Sequence, residues 1–349
     1  MTRVRVAVLG ASGFAGAELI RRIVVHPELE LVRVCADDHV GEPLERAHPH
    51  LTGRTRLVFE HLPPREAVTG VDVVMMGLPH DVSLRVVEAA RESSVRLVDL
   101  SGSFRLRDPD AYRTYYGRPH PAPELLDQFV YGLPERHRER IRGARWVASP
   151  GCFATAITLG LLPFAAAGLL PEDVHTVAMT GSSGAGSVPS PTTHHPVRAN
   201  NLRVYRPLQH QHTPEVEHEL RAAGAPALRL SFVPVSAPLT RGILATSLFR
   251  VPGSVSPERL SEVLRVYYAA ERFVRVPEAR LPEVVAVAGS NFAEVGVHAG
   301  DVSGGGRTVT VVSALDNLIK GGAGQAIQNL NLMLGFPESS TLEDPGPYP

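Results

Sequence analysis

The stretch VRVAVLGASGFAGAELIRRI, residues 4–23, decides the fold of the first half of this chain. It opens with a β-branched run whose apolar end is continuous, which is typical of a strand buried in a parallel sheet. A glycine-rich turn follows, and then apolar residues recur at helical spacing. The strand-like LELVRVCADD comes next, at residues 29–38. Strand, turn, helix and strand together predict a βαβ unit.

The alternation continues, because the helix-like residues 81–94 lie between the strand-like residues 71–79 and 95–101. It predicts a Rossmann-type, doubly wound α/β domain. Around residue 150 the pattern changes, and after a loop at residues 178–207 come strand-like runs with one helix-like run between them, at residues 256–271. This succession predicts an α+β domain with a mostly antiparallel sheet. The strand-like runs of that half are residues 228–238, 242–251, 284–289, 293–300 and 308–315.

The domain boundaries follow from this change of pattern. We expect a dinucleotide-binding domain at residues 1–151 and a catalytic, substrate and oligomerisation domain at residues 152–317. The final helix-like run is apolar enough to pack back on the first domain. We therefore assign residues 318–349 to that domain.

Composition excludes several classes of protein. The 349 residues carry a formal net charge of −1, which gives no basic footprint for nucleic acid or for a membrane surface. The beginning of the chain lacks a signal-peptide pattern and no apolar run reaches the ~20 residues of a spanning helix, so we expect a cytoplasmic protein. Two cysteines form neither a disulfide framework nor a zinc-site spacing, so no metal is expected. Lys320 is the only lysine.

The glycines of the first turn, Gly10, Gly13 and Gly16, follow a strand and precede a helix. This context lets backbone N–H groups face a pyrophosphate, although a tight structural turn also needs glycine. Asp37 and Asp38 close the second strand, where a carboxylate would accept a hydrogen bond from a ribose 2′-hydroxyl and repel a 2′-phosphate. Alone, this pair favours NAD over NADP; the alternative is two solvated loop acids.

Cys152 lies in SPGCFATAITLG, residues 149–160, directly before a helix-forming run. A sulfur in the first turn of a helix is favoured as thiolate, which makes Cys152 a candidate nucleophile; a small buried hydrophobe is the alternative. Cys35, inside a predicted strand, fits the buried role better. A thiolate beside a nicotinamide fits reduction of an acyl phosphate through a thioester. This reaction needs an acid or base near the sulfur, and the candidates are His210 and His212, which precede a predicted helix start.

Seven motifs occur in the order found in the N-acetyl-gamma-glutamyl-phosphate reductases of arginine biosynthesis, which this chain resembles over nearly its whole length. They are GASGFAG (10–16), LVDLSGSFRLRD (97–108), VYGLPE (130–135), SPGCFATA (149–156), GSSGAG (181–186), QHQHTPEV (209–216) and DNLIKGGAGQAIQN (316–329). Within that superfamily, SPTTHHPVRANNLRVYRP at residues 190–207 is similar instead to the carrier-protein-dependent aminoadipyl or glutamyl phosphate reductases.

The resemblance implies a glyceraldehyde-3-phosphate dehydrogenase-like fold with Cys152 as the nucleophile and His212 as the general acid and base. It implies NADP(H) as the cofactor, with NAD(H) a competitor because CADDHV replaces the usual serine and arginine residues after the second strand. The expected cofactor contacts are Gly10, Ser12, Gly13, Phe14, Ala15, Gly16, Asp37 and Asn317. Ser101 and Arg105 are candidate contacts to the phosphoryl group, because an arginine fork suits phosphate; a turn serine and a structural salt bridge are the alternatives.

The basic loop, residues 193–207, gathers His194, His195, Arg198, Arg203 and Arg206. It predicts a surface for an acidic carrier protein, or contacts from His195 and Arg198 to the substrate phosphate, or only a solvated loop. The expected reaction converts carrier-bound 2-aminoadipyl or glutamyl phosphate to its semialdehyde, in lysine biosynthesis or in arginine or specialised amino acid biosynthesis. The alternative substrate is free N-acetylglutamyl phosphate, in arginine biosynthesis. A homo-oligomer is expected from the resemblance. A catalytically silent dinucleotide sensor is the rival from another class.

Overall fold

The structure is a computed structural model that describes residues 2–348. The chain folds into two compact units. The first unit runs to Pro150 and includes Gly322–Glu343; the second is Gly151–Gly321 with the chain from Asp344. We expected all of residues 318–349 in the first unit, but residues 318–321 and the tail from Asp344 lie in the second. The tail does so because Gly346 and Pro347 pack on Ala288 and Gly289.

The described strands form two sheets. They are β1 Val4–Leu9, β2 Leu29–Cys35, β3 Val73–Met76, β4 Arg96–Asp99, β5 Phe129–Tyr131, β6 Trp146–Ala148, β7 Asp173–Thr180, β8 Arg203–Val204, β9 Arg229–Ser236, β10 Ile243–Pro252, β11 Val274–Arg275, β12 Ala293–Ser303 and β13 Gly306–Leu315.

The described helices differ widely in length. They are α1 Phe14–Ile23, α2 Pro64–Ala67, α3 His80–Ala90, α4 Pro109–Tyr116, α5 Pro134–Arg142, α6 Cys152–Ala166, α7 His195–Arg198, α8 Thr213–Ala223, α9 Pro257–Tyr268 and α10 Gly324–Leu334.

The first unit is built on a six-stranded sheet in the order β2-β1-β3-β4-β6-β5, in which every neighbouring pair is parallel. The apolar ends of β1 and β3 are buried, as expected for strands covered on both faces. The predicted doubly wound sheet is confirmed. α10 completes this unit: the amide of Asn329 donates to the carbonyl of Gly132, and Asn331 donates to the carbonyls of Glu338 and Ser340.

The second unit contains a seven-stranded sheet in the order β11-β12-β13-β10-β7-β9-β8. Only the β11–β12 and β7–β9 pairs are parallel, which confirms the predicted mostly antiparallel sheet. The strand expected at residues 284–289 was wrong. Val284–Ala286 is a short 3₁₀ helix, because the amides of Val287 and Ala288 turn back to the carbonyl of Val284 and Gly289 then takes φ +77°.

α6 is buried on all sides from Phe153 to Ala165, so its apolar composition matches a core helix. It contains Pro163, which has no N–H to donate to the carbonyl of Leu159 one turn earlier. The hydroxyl of Tyr268 in α9 donates to that carbonyl at 2.5 Å. Tyr268 thereby satisfies the backbone group that the proline leaves open.

Candidate active site

Cys152 is the first residue of α6, directly after the Pro150-Gly151 turn. Gly151 is the N-cap, with φ −67° and ψ 148°, and as a glycine it has no side chain of its own to cap the helix. Cys152 is partly exposed, whereas Cys35 is buried in β2, where desolvation raises the pKa of its thiol to about 11. Helix N-terminal N–H groups favour a thiolate. Cys152 therefore has the surroundings of a nucleophile, and Cys35 those of an inert thiol.

His212 lies directly against the backbone that precedes Cys152. Its imidazole is buried and belongs to the N-cap residue of α8. A Cβ on Gly151 would lie only 2.2 Å from Nε2 of His212 and 2.4 Å from its Cδ2. Glycine thus leaves the space that the imidazole fills. The structure brings His212 to the residue next to Cys152, although the two are far apart in the sequence.

Glu215 joins the two helix starts that carry Cys152 and His212. It lies in the first turn of α8, and its Oε2 accepts a hydrogen bond from the Gly151 N–H at 2.9 Å. Its side chain is almost fully buried. Sequence reasoning missed this role, although an acid three residues after the N-cap is a known signal of a helix start. The bond fixes the peptide that leads into Cys152.

His210 supports His212 from the side. Its Nδ1 accepts the backbone N–H of His212 at 3.2 Å, and the two ring centroids are 4.6 Å apart. The rings of Phe153 and Phe232 pack edge-on against it. Burial, followed by the neighbouring His212, lowers the pKa of His210 to about 3. Of the two histidines considered from the sequence, His210 is therefore a neutral supporting group and His212 is the one beside Gly151.

Tyr205 is a further aromatic neighbour that the sequence did not single out. Its ring centroid lies 5.8 Å from that of His210. Burial raises the pKa of its phenol, and the charge of nearby Cys152 raises it further. The phenol therefore keeps its proton and is a hydrogen-bond donor near the sulfur.

Asn317 links two glycine-containing turns of the second unit. Its Oδ1 accepts the N–H of Gly242 at 2.7 Å, and its Nδ2 donates to the hydroxyl of Ser183 at 3.0 Å. Ser183 belongs to the GSSGAG motif. Asn317 is buried and holds this motif in place, while its amide has a second N–H that a nicotinamide could use.

The segment after Asn317 forms a π-helical turn, Ile319–Ala323. Lys320 is completely buried there, with Nζ 5.9 Å from the centroid of the Phe273 ring. The following Gly321 packs on the nucleophile: a Cβ at this position would lie 2.8 Å from Cβ of Cys152. Close approach to Cys152 thus requires glycine at position 321.

The basic loop is an irregular segment of the second unit. Arg198 donates from Nη2 to the carbonyl of Thr180 at 3.3 Å, and desolvation lowers the pKa of its guanidinium. His195 is exposed at the start of α7. Arg206 and Asn200 have positive φ values of 43° and 55°. Non-glycine residues in this region are uncommon and concentrate at functional segments.

The glycine turn of the first unit is built for close approach. Gly10 has φ +76°, and a Cβ there would lie 2.3 Å from the carbonyl oxygen of Gly77. A Cβ on Gly16 would lie 2.5 Å from the carbonyl oxygen of Gly10. α1 begins at Phe14, and its N-cap residue, Gly13, has no side chain of its own to cap the helix. The turn and helix start therefore fit the diphosphate of a dinucleotide. Ser12 and Ala15 lie in the same stretch.

Asp37 and Asp38 follow β2 and are both exposed. Asp37 lies within hydrogen-bond distance of His61, with 3.0 Å between Oδ1 and Nδ1. Asp38 lies 4.0 Å from His39, which itself pairs with Glu42 at 3.1 Å. Histidines thus accompany both acidic positions at which a ribose is expected.

Ser101 and Arg105 make contacts inside the first unit. The Ser101 hydroxyl donates to the buried carboxyl of Asp99 at 2.7 Å; burial raises the pKa of Asp99, and the bonds from Ser101 oppose that rise. Arg105 donates to the carbonyls of Ser149 and Leu100, at 2.7 Å each. Arg105 therefore supports the chain that leads from β6 toward Cys152, in addition to any contact with substrate.

Two other kinds of feature are absent from residues 2–348. There, no group of three or more His, Cys, Asp or Glu side chains is arranged to hold a metal ion. Within the same range, no helix has the length and apolarity that crossing a membrane requires.

Two family models match the chain. Residues 5–144 match the semialdehyde dehydrogenase NAD binding domain, and residues 152–317 match the semialdehyde dehydrogenase dimerisation domain. The two matched ranges meet close to the boundary between the two compact units.

Full-length relatives carry two kinds of name. A Thermomicrobium roseum protein provisionally named a LysW-L-2-aminoadipate 6-phosphate reductase is 44% identical, over 99% of each chain. An N-acetyl-gamma-glutamyl-phosphate reductase of Symbiobacterium thermophilum is 43% identical, also over 99% of each chain. A LysW-L-2-aminoadipate 6-phosphate reductase of Deinococcus radiodurans is 39% identical, over 99% of this chain and 98% of that protein.

Solved structures share the fold. Aspartate semialdehyde dehydrogenase II of Vibrio cholerae, complexed with ASA, superposes with a TM-score of 0.71 at 15% identity. The match covers 96% of this chain and 99% of that one. At this identity the likeness establishes the fold alone.

Proposed function

The chain belongs to the semialdehyde dehydrogenase family, in the group that includes LysW-L-2-aminoadipate 6-phosphate reductases and N-acetyl-gamma-glutamyl-phosphate reductases, and from this premise we propose its substrate and catalytic residues. The protein is an oxidoreductase that reduces an acyl phosphate to a semialdehyde with a nicotinamide cofactor and releases inorganic phosphate. The proposed substrate is 2-aminoadipyl phosphate, or the shorter glutamyl phosphate, attached through its amino group to a small acidic carrier protein.

One observation carries the catalytic assignment. Cys152 begins a helix, and the His212 imidazole fills the space beside Gly151, the residue immediately before it. The helix start favours the thiolate, and the imidazole is placed to exchange its proton.

The reaction then divides between these two residues. The Cys152 sulfur attacks the acyl carbon, the bond from that carbon to the phosphate oxygen breaks, and phosphate leaves behind a thioester. When bound, the reduced nicotinamide supplies the hydride for this carbon. His212 accepts the thiol proton and later protonates the oxygen of the thiohemiacetal. Breaking the carbon–sulfur bond, with return of that proton, releases the semialdehyde and restores the thiolate.

The cofactor is proposed to be NADP(H). The glycine turn and the start of α1 are to hold the diphosphate, and Asn317 is to contact the nicotinamide amide. Asp37 opposes a 2′-phosphate, but its Oδ1 already lies 3.0 Å from Nδ1 of His61 and is therefore less available to the ribose 2′-hydroxyl of NAD(H). NAD(H) is the competing cofactor, and initial rates with equal concentrations of NADPH and NADH decide between them.

The basic loop is the proposed contact for the carrier protein. Besides its cations it exposes aliphatic side chains, with Leu202 60% and Val204 52% accessible. Exposed apolar groups between positive charges suit a partner with an acidic surface. The names of the LysW-dependent relatives support the same partner. Arg203→Glu should raise KM for the carrier-bound substrate, while Arg140→Glu, an exposed change on α5, should not.

Two pairs of residues are proposed to contact the phosphate. Arg105 and Ser101 are assigned to the phosphoryl group, and so are Arg198 and His195 of the basic loop. The guanidinium of Arg198 is partly desolvated, which strengthens its attraction for an anion. A homo-oligomer is proposed because residues 152–317 match a dimerisation domain. A cytoplasmic location is proposed because a reducing compartment keeps a cysteine nucleophile as a thiol.

Purified enzyme assayed with two substrates tests the function. Turnover with carrier-bound aminoadipyl phosphate and little with free N-acetylglutamyl phosphate is expected. A rate confined to the free acetylated compound would replace the carrier proposal with the alternative, which the name of the 43% identical relative favours. Cys152→Ser should abolish turnover and leave dinucleotide binding intact. A wild-type protein that binds dinucleotide but turns over neither substrate would favour the silent sensor.

A further inference from the structure

His48 lies outside the glycine motif but contacts it directly. Its imidazole is buried, and its Nε2 lies 2.7 Å from the carbonyl oxygen of Ala11, between Gly10 and Ser12. A carbonyl oxygen only accepts hydrogen bonds, so Nε2 carries the proton and donates. His48 therefore holds a backbone carbonyl of this turn and not a side chain.

The loop that carries His48 is fixed to the end of β2. The amide of Glu60 donates to the carbonyl of Val34, and the carbonyl of Glu60 accepts from Ala36, both at 3.0 Å. The carbonyl of His48 accepts from Leu51 at 2.9 Å, and the buried Phe59 ring packs edge-on at 6.1 Å from the imidazole. The imidazole is thus held in one position by its own loop.

The contact determines which way one peptide group faces. In a trans peptide the carbonyl oxygen and the following N–H point in opposite directions. Because His48 holds the Ala11 carbonyl on its own side, the Ser12 N–H faces away from His48. The N–H groups of Gly10 and Ala11 are both taken by the carbonyl of Cys35, at 3.0 and 2.9 Å. The turn is therefore anchored on one side by β2 and on the other by His48.

We propose that His48 is a positioning residue for the dinucleotide diphosphate, since it keeps the Ala11–Ser12 peptide with its N–H toward the ligand. Rotation of this peptide would present a carbonyl oxygen to the diphosphate, and the partial negative charge of that oxygen would repel the anion. The inference rests on the proposed binding of a nicotinamide dinucleotide at the glycine turn. It adds a residue from a distant part of the chain to that site.

Three variants separate this role from mere packing. His48→Leu keeps the bulk and removes the donor, His48→Gln keeps an N–H that reaches the carbonyl, and His50→Leu changes the exposed neighbouring histidine as a control. We expect the Kd of the dinucleotide to rise about tenfold in His48→Leu, the scale of one lost hydrogen bond. It should recover to within about threefold in His48→Gln and stay unchanged in His50→Leu. kcat at saturating dinucleotide should be unaltered in all three.

Titration with 2′-AMP, which has no diphosphate, completes the test. Its affinity should be the same in wild type and His48→Leu. Equal weakening of 2′-AMP and dinucleotide, or no recovery in His48→Gln, would overturn the positioning role. If His48→Leu does not fold, as judged by its thermal melt, His48→Asn takes its place under the same criteria. A wild-type protein that binds no dinucleotide would instead refute the proposed function.

Discussion

Substituting Gly151 by alanine tests the arrangement of the catalytic pair with the smallest possible change. The backbone at Gly151, φ −67° and ψ 148°, is allowed for alanine, so no backbone strain is added. The new Cβ would lie 2.2 Å from Nε2, 2.4 Å from Cδ2 and 2.5 Å from Cε1 of His212. Non-bonded heavy atoms prefer about 3.5 Å or more, so the imidazole must retreat by roughly 1 Å.

That displacement sets the expected effect. A misplacement of about 1 Å in a reacting group costs on the order of 100-fold in rate, or about 2.7 kcal/mol of activation free energy. We therefore expect kcat of Gly151→Ala to fall about 100-fold. Dinucleotide affinity should not change, because the glycine turn is formed by another part of the chain. Gly143→Ala is the matched control: it has φ −91°, and apart from its two chain neighbours no described residue lies within 4 Å of the added Cβ.

Steady-state turnover and alkylation of Cys152 by iodoacetamide provide the assay. The pH at which alkylation reaches half its maximum should rise in Gly151→Ala, because the thiol loses the base that accepts its proton. The proposed mechanism would be refuted if Gly151→Ala folds and keeps both the wild-type kcat and the wild-type pH profile of alkylation. That result would show that catalysis does not need the imidazole where the structure places it.

Three further predictions concern the supports of this site. Glu215→Gln replaces a charge-assisted acceptor by a neutral one, so kcat should fall about three- to tenfold while the melting temperature changes little. Tyr268→Phe leaves the Leu159 carbonyl without its hydroxyl donor and should lower the free energy of unfolding in urea by about 1–3 kcal/mol. In a Pro163→Ala background, where residue 163 regains an N–H, the same substitution should cost less. An equal cost in both backgrounds would contradict this role of Tyr268. The pKa of His210 is about 3 in the folded protein and 6.5 in the unfolded chain, so between these pH values only the unfolded chain gains a proton. The free energy of unfolding should therefore fall between pH 7 and pH 5 by about 2 kcal/mol more in wild type than in His210→Asn. Equal losses in the two proteins would contradict this prediction.

Local sequence patterns predicted the elements that position the site. The run from Val4 to Ile23 contains its own strand, turn and helix signals, and SPGCFATA places Cys152 at a helix start through the Pro-Gly pair alone. By contrast, the apolar run at residues 284–289 carries no period that separates a strand from a 3₁₀ turn, and the strand expected there was wrong.

Long-range contacts were beyond such patterns. Glu215 binds an amide 64 positions earlier, and His48 binds a carbonyl 37 positions earlier. Neither contact can be predicted from residue spacing or composition, because each contact depends on how separate elements pack together. Asn317 and the choice of His212 over His210 came from the family resemblance, and the contacts of Ser101 and Arg105 with substrate stay predictions.

Because Lys320 is buried, its chemical modification reports on local opening of the structure around it. Amine-reactive esters modify lysine side chains, and here the only lysine is completely buried within the π-helical turn that packs on the nucleophile. Labelling at this position requires the segment to open, so its rate follows the free energy of that opening. Mass spectrometry of the peptide that contains Lys320 then measures the free energy of opening of the segment packed against Cys152, with and without ligands.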